Sequence, residues 1–160
     1  MNQFLREIND INSAIESFNN HLATNFRIPG FDLTNAIEDK HLVKIIHGNW
    51  DAFPFPNNAT GGVYFVFGHE TVKTDRTGLY IGKASFGSMT SSRLYAHLHP
   101  HRSKEHFTMN NCGGEVYILD YIASIDLDRL HIPFMAPALE EFLISTLRTK
   151  INLLNGTGNL

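Results

Sequence analysis

The chain has 160 residues, 42% hydrophobic and 18% charged, with a net charge of −3 and a single cysteine, Cys112. That length suits one globular domain with a sizeable core, and one cysteine excludes an intrachain disulfide and a cysteine-built zinc cluster. No apolar run approaches the roughly 20 residues a bilayer span needs, and MNQFLREIND does not read as a secretory leader, so a cytoplasmic protein with no membrane partner is expected.

The charge is unevenly spread. The first 60 residues carry four cations and seven acids, which accounts for the whole net charge. From Arg76 to Lys104 the chain holds Arg76, Lys83, Arg93, Arg102 and Lys104 with no acid between them. Such a stripe is a footprint for a polyanion; a solvated loop and helix face is the plain alternative.

In chain order, residues 3–24 read as an amphipathic helix. Phe4, Ile8, Ile11, Ile15, Phe18 and Leu22 repeat at steps of four and three along one seam. That seam packs on the protein's own core or serves a homodimer, since coiled coils use the same spacing. Arg27 to Gly30 forms a turn. Asp32 can cap a second helix running to about Ile46, with Gly48 past its end. Phe53-Pro54-Phe55-Pro56 is an extended connector, and 57–61 is a turn cluster.

Gly62 to Gly68 alternates as a strand, with Val63, Phe65 and Phe67 on one face and Tyr64 and Val66 on the other. A charged loop, His69 to Gly78, leads to a short strand, Leu79 to Gly82, and the two pair as an antiparallel hairpin of open register. Ser91 or Ser92 caps a helix that Pro100 stops. On it Arg93 and His97 lie four apart, beside a Leu94–Leu98 stripe. Glu115 to Ala123 is a third strand. Pro133 and Pro137 bracket a turn, and a last helix runs from about Ala136 to Lys150 before a turn-rich tail that frays at its end.

Glu140 breaks the pattern of that last helix. At about 100° per residue, Ala136, Leu143, Ile144, Leu147 and Ile151 form one stripe with Glu140 at its centre, whereas Glu141 falls to the side with Ser145 and Arg148. A buried carboxylate costs several kcal/mol (order of magnitude) unless it is paired, protonated or bound to a cation. Glu140 therefore either pairs with an arginine such as Arg93 or holds a hard divalent cation, which often takes only one or two protein carboxylates.

These residues together resemble a known family. Gly62-Val63-Tyr64, Tyr80-Ile81-Gly82 followed by Lys83, Arg93 with His97 four later, Glu140 with Leu143 and Ile144, and Asn152 about a dozen residues on are similar to the ordered motifs of the GIY-YIG nuclease superfamily. The match covers roughly residues 61–155. It departs at Val63, where the motif has isoleucine, and in a long loop between the two tyrosine motifs. The first 60 residues lie outside it, and Asn155 stands near Asn152 as a second candidate.

The resemblance implies an α+β fold, a small three-stranded antiparallel sheet flanked by helices over 61–160, with residues 1–60 as an N-terminal helical extension packed on or beside it. It implies an endonuclease that hydrolyses DNA phosphodiesters with one divalent ion, Mg²⁺ or Mn²⁺. By that analogy Glu140 holds the metal, Arg93 clamps a phosphate oxygen, and a tyrosine takes the proton of the attacking water. Tyr64 is favoured for this, with Tyr80 positioning water or phosphate. Lys83 and His97 assist the tyrosine, Asn152 orients the site, and Lys83, Arg93, Arg102 and Lys104 contact nucleic acid. The rival readings are a non-catalytic or partner-activated nucleic-acid-binding module on the same scaffold, and a nuclease for single-stranded DNA or RNA, for which Phe86 and Tyr95 would stack bases. A zinc site among His97, His99, His101 and His106 is disfavoured, because Pro100 interrupts them and no second ligand cluster exists.

Overall fold

The β-branched and aromatic residues from Gly62 onward set the architecture, because the strand they form is buried on both faces. The computed structural model describes residues 2–32, 42–44, 60–85, 87–98 and 106–155. Strand β2 (Gly62–Glu70) pairs antiparallel with β3 (Thr77–Ala84) on one side and with β5 (Val116–Asp126) on the other. Two three-residue strands, β1 (Leu42–Lys44) and β4 (Thr108–Asn110), pair antiparallel with β5. The sheet order is β1-β5-β2-β3, with β4 also on β5. The mixed α+β class and the three long strands follow the sequence pattern. The sheet is larger than the three strands expected by two short ones.

Alternation along β2 divides the core. Val63, Phe65 and Phe67 join Leu79, Ile81, Ala123 and Ile125 in one buried cluster, whereas Tyr64 and Val66 join Tyr80, Tyr117, Leu119 and Ile122 in a second on the opposite face. Helices α1 (Leu5–Asn19) and α3 (Ala136–Leu147) pack on the first face, and α2 (Thr90–Leu98) covers the second through Leu94 and Leu98.

Helix α1 is shorter than the 3–24 expected and is led in by a 3₁₀ turn, Asn2–Phe4. Its seam of Phe4, Ile8, Ile11, Ile15 and Phe18 is buried in the same cluster as β2 and α3. Of the two readings the spacing allowed, packing on the chain's own core is the one seen, and α1 presents Arg6, Asn9, Ser13, Glu16 and Ser17 to solvent. Two asparagines two turns apart hold the returning chain against the helix. The Asn19 amide both donates to Ile28 O and accepts from Ile28 N–H at 2.8 Å, and Asn12 does the same for Phe31 at 2.9 and 2.7 Å. Each bond is worth about 1 kcal/mol net, and together they dock Ile28 and Phe31 in the core.

The second helix expected from Asp32 to Ile46 is contradicted at Leu42–Lys44, which is a strand. Register on β5 wins over local capping signals there: Leu42 faces Ala123 and Lys44 faces Tyr121. The rest of that expected helix and the Phe53–Pro56 connector lie outside the described residues. The hairpin strands run further than expected, leaving only 71–76 as loop, because Arg76 reaches across to Glu70 at 3.2 Å and to Glu115 at 2.6 Å. Among the described residues, no helix is long and apolar enough to cross a membrane.

Candidate active site

At one end of the β2–β3 hairpin, period-two alternation and register bring two tyrosines together. Tyr64 lies opposite Gly82, and Tyr80 opposite Val66, so both phenols stand on the α2 face. Their ring centroids are 6.2 Å apart with planes inclined by 29°. Gly82 makes this possible: a Cβ there would overlap Cε2, Cζ and the hydroxyl of Tyr64, so the ring lies directly over the glycine backbone. Gly62 has a comparable role one step away, since a Cβ would sit 2.5 Å from the carbonyl oxygen of Ile125.

Tyr64 is fully buried, and Tyr80 is 8% exposed. Burial first, then the Tyr80 hydroxyl and the Glu140 charge, push the Tyr64 phenol well above its ordinary range, and Arg93 opposes them. Tyr80 is also raised, by burial and then by Glu140, with the neighbouring Tyr64 hydroxyl and the Arg93 charge opposing them. Both phenols are thus held in the neutral form, and Tyr80 is the less buried of the two.

The carboxylate comes from α3. Pro137 starts this helix without losing a needed N–H, and Ala136, Leu139, Leu143 and Leu147 turn to the sheet. Glu140 is carried inward with them and is 5% exposed, whereas Glu141 is exposed. The Lys83 ammonium donates to Glu140 Oε2. Lys83 shares the face of Leu79 and Ile81 and reaches α3 because β3 is the edge strand. The Lys83 side chain is 32% exposed, so the pair is half-solvated at the lysine end. This pairing offsets the cost of burying Glu140, and Lys83 fills the role that sequence reasoning offered to an arginine.

Arg93 stands on exposed α2 surface, with its charge acting on both tyrosines. Among the described residues no ion pair engages it. Tyr64, Tyr80 and Arg93 on the α2 side and the Lys83–Glu140 pair at the edge of β3 thus lie close enough for the charges of Arg93 and Glu140 to act on both phenols. His97 lies on α2, but its side chain is outside the described residues, as are Arg102, Lys104 and Phe86.

Asn152 is not in this group. Its amide donates to the Tyr117 hydroxyl at 2.6 Å and to Thr77 O at 3.3 Å. Thr77 is six residues before Lys83, about 20 Å along an extended strand. Asn155 is the better placed asparagine. It accepts from the Ile81 N–H at 2.9 Å and donates to the Ile81 carbonyl at 2.6 Å, so its carboxamide holds the strand between Tyr80 and Gly82. The sequence offered both asparagines and no means of choosing, since the partner backbone is 74 residues away.

The donor set fits a hard cation bound through few protein ligands. The centre offers carboxylate and phenol oxygens, and among the described residues no group of three or more His, Cys, Asp or Glu gathers anywhere. A single buried carboxylate with the remaining positions given to water and phosphate is the mode suited to Mg²⁺. Comparison of the chain with protein-family models, with curated proteins and with solved structures gives no match.

Proposed function

We propose that this chain is a divalent-metal-dependent endonuclease of the GIY-YIG type acting on DNA. The observation that carries the reading is the convergence of Tyr64, Tyr80, Arg93 and the Lys83–Glu140 pair at one end of a hairpin. Hydrolysis adds a water oxygen to phosphorus, breaks the phosphorus–O3′ bond and delivers a proton to O3′. Arg93 binds a non-bridging phosphate oxygen through its planar fork, which no carboxylate among the described residues engages. Tyr80 takes the proton of the attacking water, because it is the less buried of the two phenols; this exchanges the roles of the two tyrosines relative to the sequence expectation. Lys83 orients the Glu140 carboxylate and supplies positive charge beside the phosphate. Glu140 would hold Mg²⁺ or Mn²⁺, which when bound supplies Lewis acidity at the phosphate and cancels the negative charge that keeps the phenols protonated.

A second reading rests on the same ion pair. Lys83 alone already satisfies Glu140, so a non-catalytic nucleic-acid-binding module would have no need of a metal. The test is incubation of the chain with duplex plasmid, single-stranded circular DNA and structured RNA, each with Mg²⁺ or with EDTA. Metal-dependent cleavage of DNA supports the enzyme; binding without cleavage under either condition replaces it with the module.

A further inference from the structure

Beside the catalytic group lies a cavity that the proposed chemistry does not use. It has a volume of about 290 Å³ and is lined by Thr60, Ser85, Gly87, Pro133, Phe134 and Pro137. At roughly 30 Å³ per water this is room for about ten waters. Its walls are two proline rings, one phenyl ring, a glycine and two hydroxyls, with no charged side chain among them. Such a lining suits a flat, uncharged group with apolar faces and a hydrogen-bonding edge. Phe134 is 71% exposed, although its neighbours Ile132 and Ala136 are buried. The turn Pro133–Met135 holds the ring out at the mouth of the cavity instead of turning it inward.

The cavity lining adjoins Lys83 and Glu140 along the chain. Ser85 is two residues beyond Lys83, about 7 Å along the strand. Pro137 precedes Glu140 by three residues, one helical turn of about 4.5 Å on the same side of α3. Successive nucleotides of a stacked strand rise about 3.4 Å. A strand whose phosphate sits at Lys83 and Arg93 therefore brings a base one or two nucleotides away to the cavity mouth.

We propose that this cavity receives one unstacked nucleobase of the bound strand, with Phe134 stacking on its face. The Ser85 hydroxyl meets its polar edge. The Thr60 hydroxyl, which donates to Asp128 Oδ2 at 2.9 Å, has lone pairs left to accept from the same edge. The inference rests on the nuclease reading and narrows its substrate: a base must leave the stack, so DNA with an unpaired or weakly paired base beside the scissile bond is preferred to uniform duplex.

The test is fluorescence anisotropy of the full chain in EDTA with labelled oligonucleotides that are single-stranded, fully paired or paired around one central unpaired base. Phe134→Ala should weaken binding of the single-stranded and unpaired-base probes by about 5- to 100-fold, the range for losing one stacked base. Phe134→Trp should keep the parent affinity. A probe carrying an abasic site in place of the captured base should bind the parent as weakly as the normal probe binds Phe134→Ala, with no further loss when the two are combined. Because Phe134 is exposed, an unchanged melting curve separates this effect from misfolding. Phe134→Ala affinities within about twofold of the parent on every probe overturn the base pocket and leave the nuclease reading standing. A parent that binds no probe in EDTA and cleaves none once Mg²⁺ or Mn²⁺ is added overturns both.

Discussion

Gly82→Ala probes the packing on which the candidate site depends. The new methyl would occupy the space of the Tyr64 ring edge and hydroxyl. Tyr64 is fully buried between β3 and the residues under α2, so the ring cannot swing to solvent. Overpacking of this kind costs about 1–3 kcal/mol, with about 1 kcal/mol in it for a ring driven off its rotamer. The better strand backbone of alanine returns about 0.5–1 kcal/mol, leaving a net loss of about 1–2 kcal/mol. For a domain of this size that lowers Tm by about 2–8 °C. The assay is urea and thermal unfolding of Gly82→Ala, Tyr64→Ala and the double variant. Tyr64→Ala removes the colliding ring, so the second methyl should then cost almost nothing, and the cycle should show a coupling of about 1–2 kcal/mol. Additive losses, or a Gly82→Ala chain as stable as the parent, would refute the claim that the tyrosine is seated on this glycine.

Three further outcomes follow from the same geometry. The raised phenols of Tyr64 and Tyr80 mean that the folded chain holds protons that the unfolded chain releases near pH 10. Their contribution is full below that pH, and stability should fall above it by about 1.4 kcal/mol per pH unit for each phenol. Tyr64→Phe should flatten this alkaline loss in pH-dependent urea unfolding; an unchanged slope would deny that Tyr64 titrates abnormally. Asn155→Ala should cost about 1–3 kcal/mol by unpairing the Ile81 N–H and carbonyl and should lower kcat, whereas Asn152→Ala should cost stability alone; steady-state kinetics beside unfolding curves decides between them. Glu141→Ala should change neither melting nor cleavage, since Glu141 is solvated, and a loss there comparable to that of Glu140→Ala would break the orientation assigned to α3.

Most of the sheet and much of the site are legible in the chain's own residue pattern. The alternation of Val63, Phe65 and Phe67 against Tyr64 and Val66 is a local signal, and both faces of β2 pack as it requires. The inward turn of Glu140 follows from its place on a helical stripe. The misses are all long-range. Leu42–Lys44 carries capping and spacing signals for a helix, yet the open side of β5 pairs it as a strand. The tail reads as turn-rich, but Leu153 forms a parallel bridge with Leu79, Leu154 N–H donates to Leu79 O at 2.8 Å, and Asn155 clips Ile81, so 152–155 covers the free edge of β3, while the end expected to fray lies outside the described residues. Covering an edge strand removes an aggregation hazard, and no residue within the tail announces that it will do so. Lys83 as the partner of Glu140 is likewise hidden, because 57 residues separate them. The exposure of Phe134 has no signal in the sequence and is set by the turn Pro133–Met135.

The most direct measurement of the central claim is cleavage of supercoiled plasmid by the parent, Glu140→Gln and Glu141→Gln, each with Mg²⁺, with Mn²⁺ and with EDTA. Glu140→Gln keeps the size of the side chain and a hydrogen bond acceptor for Lys83 while removing the charge. The account predicts nicked or linear products from the parent and from Glu141→Gln in either metal, none in EDTA, and none from a folded Glu140→Gln. Cleavage by Glu140→Gln at the parent rate, or parent cleavage that persists in EDTA, would contradict it.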